Sequence, residues 1–258
     1  MRVNAPLVSY FPVSILPRAP YAARAIPASL APDTDPAYSV PPAGDGRVAG
    51  SIAVNLYKRQ SRLQYGIQLL VYHEGRRGHQ LQIPIAMELK GLPQFSRFDY
   101  YSYYSYYREG RALYTESVCA QMVLYSNPYS KFGDLDWQMW QTVRLVADTG
   151  IDSGGRMRAQ PVRHFENNTA LSTQKINAAV DRYIAWPGQT LSYMIGQMNI
   201  FPVRQKAEHG LGPKLNIRDL HTLNLEHGAL PLTILIHVID RWVRNRQAGK
   251  PMRHSLGL

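Results

Sequence analysis

The chain has 258 residues, enough for one large domain or two small ones, with 45% apolar residues and a formal net charge of +11. This composition is globular and excludes an intrinsically disordered chain. A single cysteine, Cys119, excludes an intrachain disulfide and a cysteine-based zinc cluster, so any metal must be held by His, Asp or Glu.

Residues 1–50 hold nine of the eighteen prolines and read as an extended arm lying on the domain. Proline breaks regular helix, and Pro17, Pro20 and Pro27 are expected to interrupt strand pairing as well. Val48–Tyr57 is rich in β-branched residues and roughly alternating, which predicts a strand. Arg62–Leu89 reads as a long helical stretch, striped by Leu63, Ile67, Leu70 and Val71, with a kink or break at Pro84. Residues 100–107 (YYSYYSYY) have period three and are expected to pack as a tyrosine face on the surface.

Further helices are expected at Arg108–Val123, Trp137–Ala147 (ended by Asp148-Thr149-Gly150), Thr173–Ile184, Gln189–Glu208, Asn216–Leu225 and Pro231–Arg246. Ile151–Arg158, with its glycines, reads as a loop or weak helix start. Cys119 lies in an apolar helical run and is expected to be a buried, inert thiol. The organisation expected is a Pro-rich arm over 1–47 and a mainly helical domain over 48–250, with a short β element near the start.

The basic balance, with a pI near 9.8, invites a nucleic-acid reading. The positive residues are scattered and no nucleic-acid module signature appears, so a solvated basic surface is the expectation. No apolar run reaches the length of a membrane span. Residues 1–20 lack the apolar core of a signal peptide, which leaves the cytoplasm as the default compartment.

The chemically informative segment is Tyr72-His73-Glu74-Gly75-Arg76-Arg77-Gly78-His79. Zinc peptidases carry H-E-x-x-H because residues four apart share one helix face. Here the second histidine is six residues on. Six residues of ideal helix advance roughly 9 Å and turn roughly 600°, leaving His79 about 120° round from His73. The two imidazoles can share one ion only if the helix is bulged or interrupted, and Gly75 and Gly78 make that interruption plausible.

Glu109-Gly110-Arg111-Ala112-Leu113-Tyr114-Thr115-Glu116 begins thirty residues after His79. Glu109 is the candidate third ligand. Glu116, seven residues on and so near the same helix face, is a candidate partner for a histidine N–H. Two histidines and one carboxylate suit zinc and leave a fourth position for water, from which Glu74 would take a proton.

These residues resemble the bacterial family known as domain of unknown function 885, within the thermolysin-like (zincin) metallopeptidase clan. The matching pieces run from about Tyr38 to Val243. They include Asp45-Gly46 with Val54-Asn55-Leu56-Tyr57, His73-Glu74 with Gly78-His79-Gln80-Leu81-Gln82, Glu109-Gly110 with Ala112-Leu113-Tyr114 and Glu116, and Arg144-Leu145-Val146-Ala147-Asp148-Thr149-Gly150. Arg182-Tyr183-Ile184-Ala185-Trp186-Pro187-Gly188-Gln189 with Ser192-Tyr193, and Gly228-Ala229-Leu230-Pro231-Leu232, complete the set.

The resemblance implies a mostly helical zincin fold, zinc, and peptidase activity on a peptide substrate. Members are about twice this length, so it also implies a helical N-terminal half that this chain lacks. By analogy with zincins, the Val48–Tyr57 strand would be the edge that pairs with an extended peptide. Tyr193 is a candidate oxyanion donor, with a packed aromatic as its equal alternative.

Some positions depart from the family pattern. Arg77 stands where proline is usual, Gln80 where histidine is, Arg111 where tryptophan is, and Asp152 where a histidine follows the Asp-Thr-Gly turn. The tyrosine run before Glu109 is a further departure. An impaired or inactive metal-binding remnant of the same fold is therefore the alternative function.

Overall fold

The structure is a computed structural model, described here for residues 7–61, 64–98, 104–125 and 127–250. Arg62 and Leu63 of the predicted long helix, and Tyr100–Tyr103 of the tyrosine run, lie outside the described residues. Among those described, the fold is mainly helical with one small sheet.

The N-terminal segment runs through helix α1 (Leu7–Tyr10), strand β1 (Tyr21–Ala25) and strand β2 (Ala37–Val40) to strand β3 (Gly50–Val54). The sheet order is β1-β3-β2, with β1 parallel to β3 and β2 antiparallel to it. Two of the three strands thus come from the Pro-rich segment, against the expectation that its prolines forbid pairing. The prolines bracket the strands instead of entering them. Pro20 ends just before β1, where its carbonyl accepts from Gly50 N at 3.0 Å, and Ile26, just before Pro27, donates to Val54 O at 2.9 Å. β3 is central and largely buried, which corrects the expectation that the Val48–Tyr57 strand is an edge. The edges are β1 and β2.

The expected long helix is two short ones, α2 (Ile67–Glu74) and α3 (His79–Glu88). The break falls at Gly75–Gly78 and not at Pro84. From His79 to Met87 every residue of α3 is buried, so packing holds the helix through the proline. A Cβ at Gly75 would run into the Val71 carbonyl oxygen, and one at Gly78 into that of His73, so only glycine lets the chain double back so tightly.

After α4 (Gln94–Phe98), helix α5 (Ser105–Gln121) begins within the tyrosine run. Tyr106 stays exposed, whereas Tyr107 enters the core and its hydroxyl donates to the Asn224 carbonyl. Helix α6 (Pro128–Asp152) is started by an Asn127–Ser130 capping box. It runs through the Asp148-Thr149-Gly150 sequence expected to stop it. Gly150 is buried under the Arg156 side chain, and Asp148 is engaged elsewhere. Helix α7 (Ala159–Asn168) was not legible from periodicity, because little beyond Val162 and Phe165 marks its apolar face. Helices α8 (Thr173–Ala185), α9 (Leu191–Leu211), α10 (Ile217–Leu225) and α11 (Leu232–Gln247) lie close to their predicted spans.

Two large apolar clusters organise the helices. One joins α5, α9, α10 and α11 through Tyr107, Tyr114, Val118, Ile200, Leu223, Ile239 and Trp242. The other joins α2, α6, α7 and α8 through Leu69, Trp137, Trp140, Phe165, Ile176 and Tyr183. Helices α5 and α9 cross so closely at Gly110 and Gly196 that a Cβ on either would overlap the other's backbone. Cys119 is a buried free thiol, as expected, and burial pushes its pKa up to about 12.

His221 is a buried core histidine. Its Nδ1 lies 3.0 Å from Tyr10 O and its Nε2 2.6 Å from the Tyr114 hydroxyl, so the neutral Nδ1–H tautomer satisfies both. Burial lowers its pKa to about 3. Below about pH 6.5 the unfolded chain takes up a proton that the folded chain refuses, so stability falls as pH drops toward 3. Between pH 7 and pH 4 this single group should cost about 3 kcal/mol. Urea unfolding of the parent chain and of His221→Gln at the two pH values should differ in their pH dependence by that amount, with the variant losing less stability, or gaining more, as pH falls.

Candidate metal centre

The α2–α3 break, α5 and α9 meet at one place. Glu74 is the last residue of α2 and His79 the first of α3, so the two-helix arrangement removes the angular offset that a continuous helix would impose. His73 and His79 are 3% and 6% exposed, and their rings stand nearly perpendicular with centroids 4.9 Å apart. Glu109, from α5, faces both. Its Oε2 lies 3.3 Å from His73 Nε2 and 3.2 Å from His79 Nε2. One ligand atom from each of the three residues falls within 4.8 Å of the others.

These separations bear directly on whether an ion fits. A tetrahedral zinc with bonds of about 2.0–2.1 Å places its ligand atoms about 3.3 Å apart. The two imidazole-to-carboxylate separations match such a tetrahedron's edges.

Glu116, two turns along α5 from Glu109, reaches the other side of His73, its Oε1 at 2.7 Å from Nδ1. That contact fixes the ring's tautomer and frees Nε2 to face Glu109. Burial raises the Glu116 pKa to about 7, against the lowering pull of His73. The His73 pKa is nevertheless raised: burial opposes its charge, but hydrogen bonds to Glu109 and Glu116 outweigh it. Glu109 is held well below the usual carboxylate range; burial pushes it up, and the two histidines pull it further down.

Glu74 is buried beside this cluster. Desolvation raises its pKa, and the Ser39 backbone N–H hydrogen-bonds its carboxylate. Ser39 belongs to β2, so the edge strand that faces the site is β2. Gln80, one of the departures from the expected pattern, pins that strand. Its amide donates to Ser39 Oγ at 2.7 Å, to Val40 O at 2.8 Å and to Ser51 O at 3.1 Å.

Tyr193 projects from the second residue-pair of α9, its ring stacked on that of His73 at 6.0 Å. The Arg144 guanidinium covers it at 4.4 Å. Arg182 hydrogen-bonds its side chain while pairing with Asp35 and donating to Gln189 Oε1 at 2.9 Å. Burial, then the Glu109 charge, raises the Tyr193 pKa, so the phenol keeps its proton. Asp148 accepts from Gly188 N at 3.0 Å and from Thr190 Oγ1 at 2.7 Å, which sets the turn before α9 and so the position of Tyr193. The sequence points to Tyr193 but not to Asp35 or to the bracing roles of Arg144 and Arg182, because the Asp35–Arg182 pair spans 147 residues and the contacts of both arginines with Tyr193 join separate helices, which leaves no local pattern. Asp152 is exposed at the end of α6, with its pKa raised by burial and by Asp148. Arg77 is buried and lies over the Tyr72 ring at 5.4 Å.

Fold and site together define a mainly helical protein with a buried His/His/Glu cluster beside a small sheet. The chain belongs to the family described as bacterial protein of unknown function, domain of unknown function 885, which it matches over residues 1–239. It is similar to a solved protein from Colwellia psychrerythraea described as a "putative lipoprotein", at 30% identity and a TM-score of 0.89, covering 95% of this chain and 41% of that one. A Shewanella oneidensis protein of the same description and of unknown function shares the fold at 16% identity and a TM-score of 0.72, covering 92% of this chain and 43% of the other. This chain thus spans less than half the length of either. No curated protein matches it.

Proposed function

We propose that this chain is a zincin-like, zinc-dependent peptidase. The observation that carries the proposal is the convergence of His73, His79 and Glu109 from three separate elements, with Glu74 alongside. His73 and His79 through Nε2, and Glu109 through Oε2, would hold the ion. When bound, zinc supplies a Lewis acid that polarises a carbonyl and brings the pKa of a water toward ~7.

The remaining steps fall to the chain's own side chains. Glu74, its pKa raised by burial, accepts the proton of the attacking water and returns it to the leaving amine. Tyr193, protonated and braced by Arg182 and Arg144, donates to the oxygen on which negative charge develops. β2 is an edge strand beside Glu74, which takes its Ser39 N–H; an extended peptide would add along the backbone groups of that edge that remain. Among the described residues no helix is long and apolar enough to cross a membrane.

Metal analysis of the purified chain tests the reading. One zinc per chain is expected, lost in His73→Ala, together with peptide hydrolysis that a chelator abolishes and zinc restores. A chain that takes up no zinc from a micromolar excess would overturn it.

A further inference from the structure

Between the first half of α2, α6 and α8 lies a cavity of about 500 Å³ that the scheme above leaves without a role. Its volume falls in the range of small-ligand pockets. Leu56, Ile67, Leu70, Trp137, Leu171 and Ala178 make its walls mainly apolar. Leu56 and Ile67 are more than half exposed, so part of this apolar wall faces water.

Three observations align the cavity with the site. The first is its wall on α2: Ile67 and Leu70 precede Glu74 by seven and four residues, which puts all three near one helix face. The second is the strand. Pro36 lines the cavity and leads directly into β2, whose Ser39 N–H holds Glu74. The third is Asp35, which lines the cavity and pairs with Arg182, the residue hydrogen-bonded to Tyr193.

Four charged groups line the wall; Arg59 is exposed at its rim, and the other three are engaged. Asp35 holds Arg182, Asp136 accepts from Ala170 N at 2.9 Å, and the Lys175 amine lies over the Trp137 and Trp140 rings at 4.2 and 3.7 Å. What the cavity offers a ligand is apolar surface, with aromatic and aliphatic groups on facing walls.

We propose that this cavity is a specificity subsite for a large apolar side chain, aromatic or branched aliphatic, of a bound peptide. The proposal rests on the peptidase reading. Leu70 lies one helical turn, about 5–6 Å, from Glu74.

Trp137 supplies a reporter that does not depend on turnover. The full chain is titrated with acetyl-Ala-Phe-Ala-amide, and with the same peptide carrying Gly or Glu at the centre, and tryptophan fluorescence is followed. The Phe peptide should bind at least about tenfold more tightly than the Gly peptide, as one well-filled apolar pocket allows. The signal should disappear in Trp137→Phe. Ile67→Asp, at an exposed wall position, and Ala178→Phe, which fills the space, should each remove the preference while the circular dichroism spectrum stays unchanged. Equal binding of the Phe and Gly peptides, or a preference that survives both wall variants, would overturn the subsite.

The two proposals separate cleanly. Phe-selective binding without hydrolysis upholds the subsite and removes the peptidase. Zinc-dependent hydrolysis with no selectivity for apolar residues removes the subsite and leaves the peptidase standing.

Discussion

Glu74→Gln should retain one zinc per chain while peptide hydrolysis falls roughly a hundred- to ten-thousand-fold. Glutamine has the same shape and can still accept from the Ser39 N–H through its amide oxygen, so the packing around the residue survives. It cannot take a proton, and a positioned general base is worth about that factor. Glu74 is absent from the converging ligand set, so the metal content should not follow the activity. Paired measurements of bound zinc and of kcat separate the two roles. Zinc lost with activity would make Glu74 structural, and turnover surviving in the variant would remove it from the reaction.

Gly110→Ala should cost about 3 kcal/mol or more, with loss of the native fold as the extreme outcome. The added Cβ would meet the backbone of Gly196 on the neighbouring helix, where no rotamer change relieves the overlap. Overpacking against side chains is often absorbed by small shifts; two helix backbones in contact must move apart as bodies. Because Glu109 precedes Gly110 and Tyr193 lies one turn before Gly196, separating α5 from α9 also pulls the carboxylate away from the phenol. Denaturant unfolding with zinc titration should show both effects, weaker stability and weaker metal uptake, in Gly110→Ala and Gly196→Ala alike. A variant as stable as the parent would mean that the crossing is looser than described.

Much of the helical frame was legible in the sequence because α8, α10 and α11 carry strong 3,4-spaced stripes, and Ser172 and Asn216 supply caps at two of their starts. The site residues were legible for a different reason: a histidine-glutamate pair and a second acidic segment are rare enough in combination to stand out. The N-terminal segment was not, because its strands are four or five residues long between prolines, and their pairing depends on partners distant in the chain. Helix α7 was not legible because it is short and mostly polar: only ten residues, with Pro161 and Phe165 as its buried ones, held by Phe165 against α6 and α8. Pro84 misled for the converse reason. A local breaker was outweighed by burial on every side, and the actual break went to two glycines at which a Cβ would meet a backbone carbonyl oxygen.

The interruption between Glu74 and His79 has a bearing on how such centres are found. Two donors carried by one rigid helix keep a fixed interval, and pattern searches exploit that regularity. Here each donor sits at the tip of its own short helix, end to end across a four-residue corner, so the interval is free to drift as long as the tips still meet. A scan keyed to the four-residue interval passes over this chain; one keyed to paired helix tips flanked by small residues would stop at it.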